Sequence, residues 1–146
     1  MKILILSARF YDDIADALEN GAKQALESAG IAYECVYVPG AFEIPAALSM
    51  AMKTKKYDGY IALGCVIRGE TTHYDYVAGE SARALMDLSM RKRIALGYGI
   101  LTCENRAQAE ARAHTDQGNK GAAVAQACLD MLNLQTQFAK SKKKHG

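Results

Sequence analysis

The chain opens on a near-continuous aliphatic run of strand length, Lys2 to Ala8, with Ile-Leu-Ile-Leu inside it. Three further strand-length runs follow. A strand wetted on one face alternates apolar and polar residues, whereas unbroken hydrophobicity marks a strand covered on both faces, as in a parallel sheet. Tyr33 to Val38, Tyr60 to Val66 and Ile94 to Leu101 are the later strands, and helical segments separate them. In Asp12 to Ala29, the residues Ile14, Ala17, Leu18, Ala22, Ala25 and Leu26 recur at helical spacing, and Gly30 closes the segment as a C-cap glycine. Glu43 to Lys53 accommodates Pro45 in a first helical turn, and Thr72 to Met90 is long and amphipathic. Arg106 to Ala113 and Gly121 to Leu134 come last, separated by the polar stretch Asp116 to Lys120. The order β-α-β-α-β-α-β-α-α, without repeat or linker, predicts an α/β fold. Its expected form is a three-layer α/β/α sandwich on a four-stranded parallel sheet with right-handed crossovers.

The arrangement is flavodoxin-like, and 146 residues suit a single domain of that kind. Of the 18 Lys and Arg, Lys140, Lys142, Lys143 and Lys144 lie in the last seven residues, so positions 1–139 carry 14 basic against 16 acidic residues, a net −2. The formal charge of +2 therefore belongs to the end of the chain. Residues 1–139 read as the domain and 140–146 as a basic, frayed, disordered tail. No basic stripe with interleaved aromatics accompanies that tail, so no nucleic-acid partner is expected. The longest apolar runs fall far short of the roughly 20 residues of a membrane span. Ile3 to Leu6 is also too short for a signal segment, so a cytoplasmic, membrane-free protein is expected. Cys35, Cys65, Cys103 and Cys128 are widely spaced among apolar neighbours, with no Cys-x-x-Cys pair. They read as reduced, buried thiols, and no metal site is expected.

Ligands of open parallel sheets bind beyond the strands' carboxyl ends, which directs attention to four loops. The third, Ile67 to His73, runs from a buried strand through Arg68-Gly69 into a helix opened by Thr71 and Thr72. A helix amino terminus offers unpaired N–H groups and roughly +0.5 of partial charge, which suits a phosphate. Thr72 and Asp75 have capping-box spacing, and His73 in the first turn can exchange protons near neutral pH. The alternative is that the threonines only cap the helix and His73 is a surface residue. Phe10 and Phe42 end the first two strands; each ring can stack on a planar heterocycle or close the core edge. Glu43 either satisfies its helix's first turn or accepts hydrogen bonds from a hydroxylated ligand. Tyr98 sits between Gly97 and Gly99, which permit close backbone approach or a bend. Arg112, His114 and the turn Gly118 to Gly121 offer cations for a phosphate, or are solvated helix ends.

From about Ile3 to Leu134 the chain resembles the lumazine synthase (6,7-dimethyl-8-ribityllumazine synthase) family. The most specific pieces are Pro39-Gly40-Ala41-Phe42-Glu43-Ile44-Pro45 and the run from Gly64 to Tyr76, which holds Arg68-Gly69-Glu70-Thr71-Thr72-His73. Ala8-Arg9-Phe10, Gly99 to Thr102 with Glu104-Asn105, and Gly118-Asn119-Lys120-Gly121 support them. The resemblance implies a transferase of riboflavin biosynthesis. Its reaction condenses 5-amino-6-(D-ribitylamino)uracil with 3,4-dihydroxy-2-butanone 4-phosphate and releases phosphate and water, without metal or organic cofactor.

Carried onto this sequence, the resemblance implies that Phe10 stacks on the pyrimidine. Ala41, Phe42 and Glu43 with Cys65, Val66 and Ile67 would hold the pyrimidine and its ribityl chain. Glu70 and Thr71 would hold the butanone phosphate, with Arg112 arriving from a different subunit. Tyr98 would contact the pyrimidine from a neighbouring chain, and His73 would be the proton donor. Tyr98 stands where many members carry Phe, and Cys65 where Thr is frequent. The implied assembly is a pentamer or an assembly of pentamers, decamers and sixty-subunit shells included. Riboflavin synthase is a partner the family leaves open. The chain begins almost at its first strand, so no amino-terminal strand is expected to be lent to a neighbour. A non-catalytic lumazine- or flavin-binding or shell-forming paralogue is the alternative reading.

Overall fold

A computed structural model describes residues 1–145. Its elements are β1 (Lys2–Ala8), α1 (Asp12–Ser28), β2 (Ala32–Val38), α2 (Ile44–Lys53), β3 (Gly59–Ile67), α3 (His73–Lys92), β4 (Ala95–Cys103), α4 (Arg106–Ala113) and α5 (Lys120–His145). The four strands are all parallel, in the order β2-β1-β3-β4, with helices on both faces. This is the α/β sandwich that the continuous strands predict. The period of two along β1 explains their continuity. Ile3 and Ile5 enter one core with Leu18 and Leu26 of α1 and Val124 and Leu132 of α5. Leu4 and Leu6 enter the other, with Ile44 and Leu48 of α2 and Val77 and Leu85 of α3. The two edge strands depart from this: β2 is half-buried with Val36 and Tyr37 exposed, and β4 exposes Tyr98 and Thr102.

The helix α5 lies unusually close to its neighbours. A Cβ on Gly97 would stand 2.3 Å from the Val124 carbonyl oxygen, and one on Gly121 would stand 2.0 Å from that of Leu18. Neither position has room for any side chain. Of the two readings of the β4 glycines, close approach is therefore the one realised. At α1 the C-terminal glycine behaves as expected: Gly30 has φ +69°, and the N–H of Ile31 donates to Leu26 O at 2.9 Å.

Most element limits fall within one or two residues of the sequence reading, and three differences stand out. A 3-10 turn, Ala41–Glu43, precedes α2, which begins at Ile44 with Pro45 in its first turn. β4 continues to Cys103, so Thr102 and Cys103 are strand rather than loop. α5 runs past Leu134 to His145. Its last buried residue is Leu132, so the apolar period ends there, while good helix formers continue the helix into solvent. Lys140 to Lys144 sit exposed in its last turns. Among the described residues, no helix is long and apolar enough to cross a membrane.

Candidate active site

Beyond the carboxyl ends of β1, β2 and β3 lies a cavity of about 380 Å³. Phe10, Phe42, Glu43 and His73 line it, and Ala41, Cys65, Val66 and Ile67 complete the set of predicted residues found there. Phe10 stands two residues after β1, is 72% exposed, and meets Tyr11 edge-on with ring centroids 5.0 Å apart. Phe42 and Glu43 belong to the 3-10 turn that follows Pro39-Gly40, closed by the Glu43 N–H donating to Gly40 O at 3.2 Å.

The contribution of β3 is its main chain. β1 pairs with β3 only as far as Ser7 opposite Leu63, whereas β4 accompanies it to Ile67. From Cys65 to Ile67 the backbone has no strand partner on the β1 side, so its N–H and C=O groups there can serve a ligand. The Cys65 side chain offers little chemistry. Burial pushes its thiol up to about 12, and the buried Cys128 and half-buried Cys35 are pushed up to about 11. Thiols held that far up remain protonated at neutral pH and are poor nucleophiles. All four cysteines are free.

His73 is the first residue of α3, and the expected capping box is not formed. Thr72 has φ −73° and ψ 0°, outside the extended region that aims a capping hydroxyl at the helix, and it makes no side-chain cap. Thr71 acts instead, its Oγ1 accepting from the His73 N–H at 3.3 Å. Asp75 is engaged elsewhere: Arg68 reaches its carboxylate at 3.3 Å and Glu104 at 2.8 Å, with the guanidinium 4.2 Å over the Tyr74 ring. Arg68 thereby pins the loop between the end of β4 and α3. Gly69 to His73 are left exposed at a helix amino terminus suited to an anion.

Four predicted residues stay out of the cavity. Glu70 and Thr71 lie on the loop that carries His73 but do not line it. Tyr98 faces a separate groove of about 180 Å³ formed with Leu85, Met86 and Leu96, where burial raises its phenol above the usual range. Arg112 is exposed on α4, its Nη1 donating to Gln108 O at 3.0 Å. Tyr11, Pro39, Gly40 and Val77 line the cavity without having been expected as site residues. The first three belong to loops that the strand-end rule had located. Val77, one helical repeat after His73, follows once His73 is on a helix. Among the described residues, no three His, Cys, Asp or Glu side chains cluster as metal ligands.

Two rings, a carboxylate, unpartnered main chain and an imidazole beside an open helix terminus can hold a planar polar heterocycle next to an anion and move a proton between them. Fold and cavity together define an open parallel α/β domain with a cavity beyond the carboxyl ends of its strands. Residues 1–136 match the family described as 6,7-dimethyl-8-ribityllumazine synthase. A Rhizobium meliloti protein named 6,7-dimethyl-8-ribityllumazine synthase 1 is 55% identical over 145 residues, covering 96% of this chain and 95% of its own. Synthases of the same name from Bartonella henselae and Methylobacterium radiotolerans are 55% and 57% identical, covering 94% and 91% of this chain and 90% and 81% of theirs. The chain belongs to the 6,7-dimethyl-8-ribityllumazine synthase family and is an enzyme of riboflavin biosynthesis, a transferase. The relatives' names support the catalytic reading and not the binding or shell-forming alternative.

Proposed function

We propose that this chain condenses 5-amino-6-(D-ribitylamino)uracil with 3,4-dihydroxy-2-butanone 4-phosphate to give 6,7-dimethyl-8-ribityllumazine, phosphate and water. The observation that carries the reading is the convergence of Phe10, Phe42, Glu43 and His73 on one cavity beside the amino terminus of α3. The uracil's own amine is the nucleophile, so no activated serine, cysteine or lysine is needed. It adds to the ketone carbon and water leaves, giving an imine. A proton then leaves carbon as phosphate departs, and the second amine closes the ring with loss of another water. Each departure needs a proton delivered, and His73 is the donor beside the anion's place. Phe10 stacks on the pyrimidine. Glu43 and the free main chain from Cys65 to Ile67 hold its polar edge and ribityl chain, while Glu70 and Thr71 hold the phosphate. Fixing two substrates face to face can supply about 7–11 kcal/mol of a barrier.

Arg112 and Tyr98 complete the site from another copy of the chain, in a pentamer or an assembly of pentamers. Their places outside their own chain's cavity support this. So does the exposure of Tyr76, Met86 and Met90 along one side of α3. The assay mixes the two substrates with the purified chain and follows lumazine absorbance and released phosphate. Catalysed, equimolar formation of both is expected. Binding of either substrate without turnover overturns the reading.

A further inference from the structure

In a second pocket, lined with Arg9, Asp16 and Tyr37 and used by no step above, lies a buried carboxylate. Glu19 on α1 is 3% exposed; one oxygen takes Arg9 Nη1, and the other accepts from Cys35 Sγ at 3.4 Å. Burying an ion pair costs desolvation that its attraction repays only in part, so what the pair orients matters more than what it stabilises. Here it orients the chain just before Phe10. Arg9 Nη2 donates to Asp16 at 2.6 Å, and the guanidinium carbon stands 5.6 Å from the centroid of the Tyr37 ring. The Arg9 backbone N–H donates to Val38 O at 3.1 Å. One residue thus ties the end of β1 to α1 and to the end of β2. The segments carrying Phe10 and Phe42 leave from those two strand ends. Phe10, mostly exposed, takes its place from the backbone that carries it.

We propose that Arg9, seated on Glu19, is a positioning residue for the pyrimidine substrate, holding the Arg9–Tyr11 backbone so that the Phe10 ring faces the cavity. This rests on the functional reading above, in which Phe10 stacks on the pyrimidine. Lysine cannot replace arginine, because one ammonium cannot engage Glu19, Asp16 and a ring face together.

The test varies each substrate in turn for the wild-type chain, Arg9→Lys, Phe10→Ala and the double variant. Arg9→Lys is expected to raise KM for the ribitylaminouracil about tenfold, with KM for the butanone phosphate and kcat held within about twofold. On top of Phe10→Ala, the same change should add less than about twofold, because the ring it positions is gone. An unchanged pyrimidine KM, a parallel rise for both substrates, or a full effect without Phe10 overturns the proposal. Should Arg9→Lys not fold, Asp16→Asn at the exposed arm of the fork is read in the same cycle, with a rise of about threefold expected. A wild-type chain that makes no lumazine overturns the functional reading and this one with it. Wild-type turnover with an unmoved Arg9→Lys or Asp16→Asn overturns this one alone.

Discussion

An imidazole at the first position of a helix stands where an anion is attracted and where backbone N–H groups remain unpaired. His73 occupies that position at the rim of the cavity. If it delivers protons as phosphate and water leave, its removal should slow chemistry and spare binding. His73→Ala is expected to lower kcat about 10²-fold, with KM for both substrates nearly unchanged. Steady-state kinetics on the variant checks this, and wild-type turnover would remove the role. The residue scale also marks where sequence reading stops. Phe10, Phe42, Glu43 and His73 were legible because parallel sheets place ligands past their strand ends, and each of these residues follows a strand. The Thr72 capping box was not legible as wrong. Spacing says which residues can pair, whereas the box depends on the ψ of Thr72 and on a competing claim by Arg68 upon Asp75.

Elements are where sequence was most informative, since covering a strand on both faces leaves its mark on every residue. β1 and β3 could be read almost to their ends, and the helices between them followed from spacing. The limits read short are those of β4, which runs on to Cys103, and of α5, which continues past its last buried residue, Leu132. At the opposite end of the sheet from the cavity, Glu34 of β2 links three segments. Its carboxylate takes Lys2 Nζ of β1 at 2.5 Å, Lys56 Nζ at 2.9 Å and the Tyr57 hydroxyl. The hydrogen bonds from Lys2, Tyr57 and Lys56 hold its carboxyl down from 4.5 to about 2. A carboxyl lowered by folding contributes stability above its unfolded pKa and loses that contribution as pH falls through the folded one. Glu34→Gln is therefore expected to melt slightly below wild type at neutral pH, with the gap closing as pH falls from about 4.5 towards 2. Because the cluster is exposed, added salt should narrow the neutral-pH gap as well. Thermal melts across pH for both proteins check the sign and the window.

At the scale of the whole molecule, one chain presents a cavity that His73 lines and Arg112 does not reach. Arg112 lies exposed on α4, and Tyr98 faces a groove of its own beside α3. Neither fact was legible from local pattern, because spacing along a chain carries no information about which copy a side chain serves. If Arg112 completes the cavity of another copy, two impaired variants should repair each other when the butanone phosphate is kept below saturation. His73→Ala chains retain Arg112, and Arg112→Ala chains retain His73. In randomly mixed assemblies about a quarter of the interfaces then join a cavity that keeps His73 to a neighbour that keeps Arg112. Co-refolded equal mixtures are expected to regain activity towards that fraction of wild type, while unmixed controls stay at their own low levels. If Arg112 instead served its own cavity, every site would lack one group or the other, and the mixture would show only the mean of its parents. The Arg112→Ala parent alone should bind the butanone phosphate more weakly, with pyrimidine binding little changed, if the lost charge is the one that meets the phosphate.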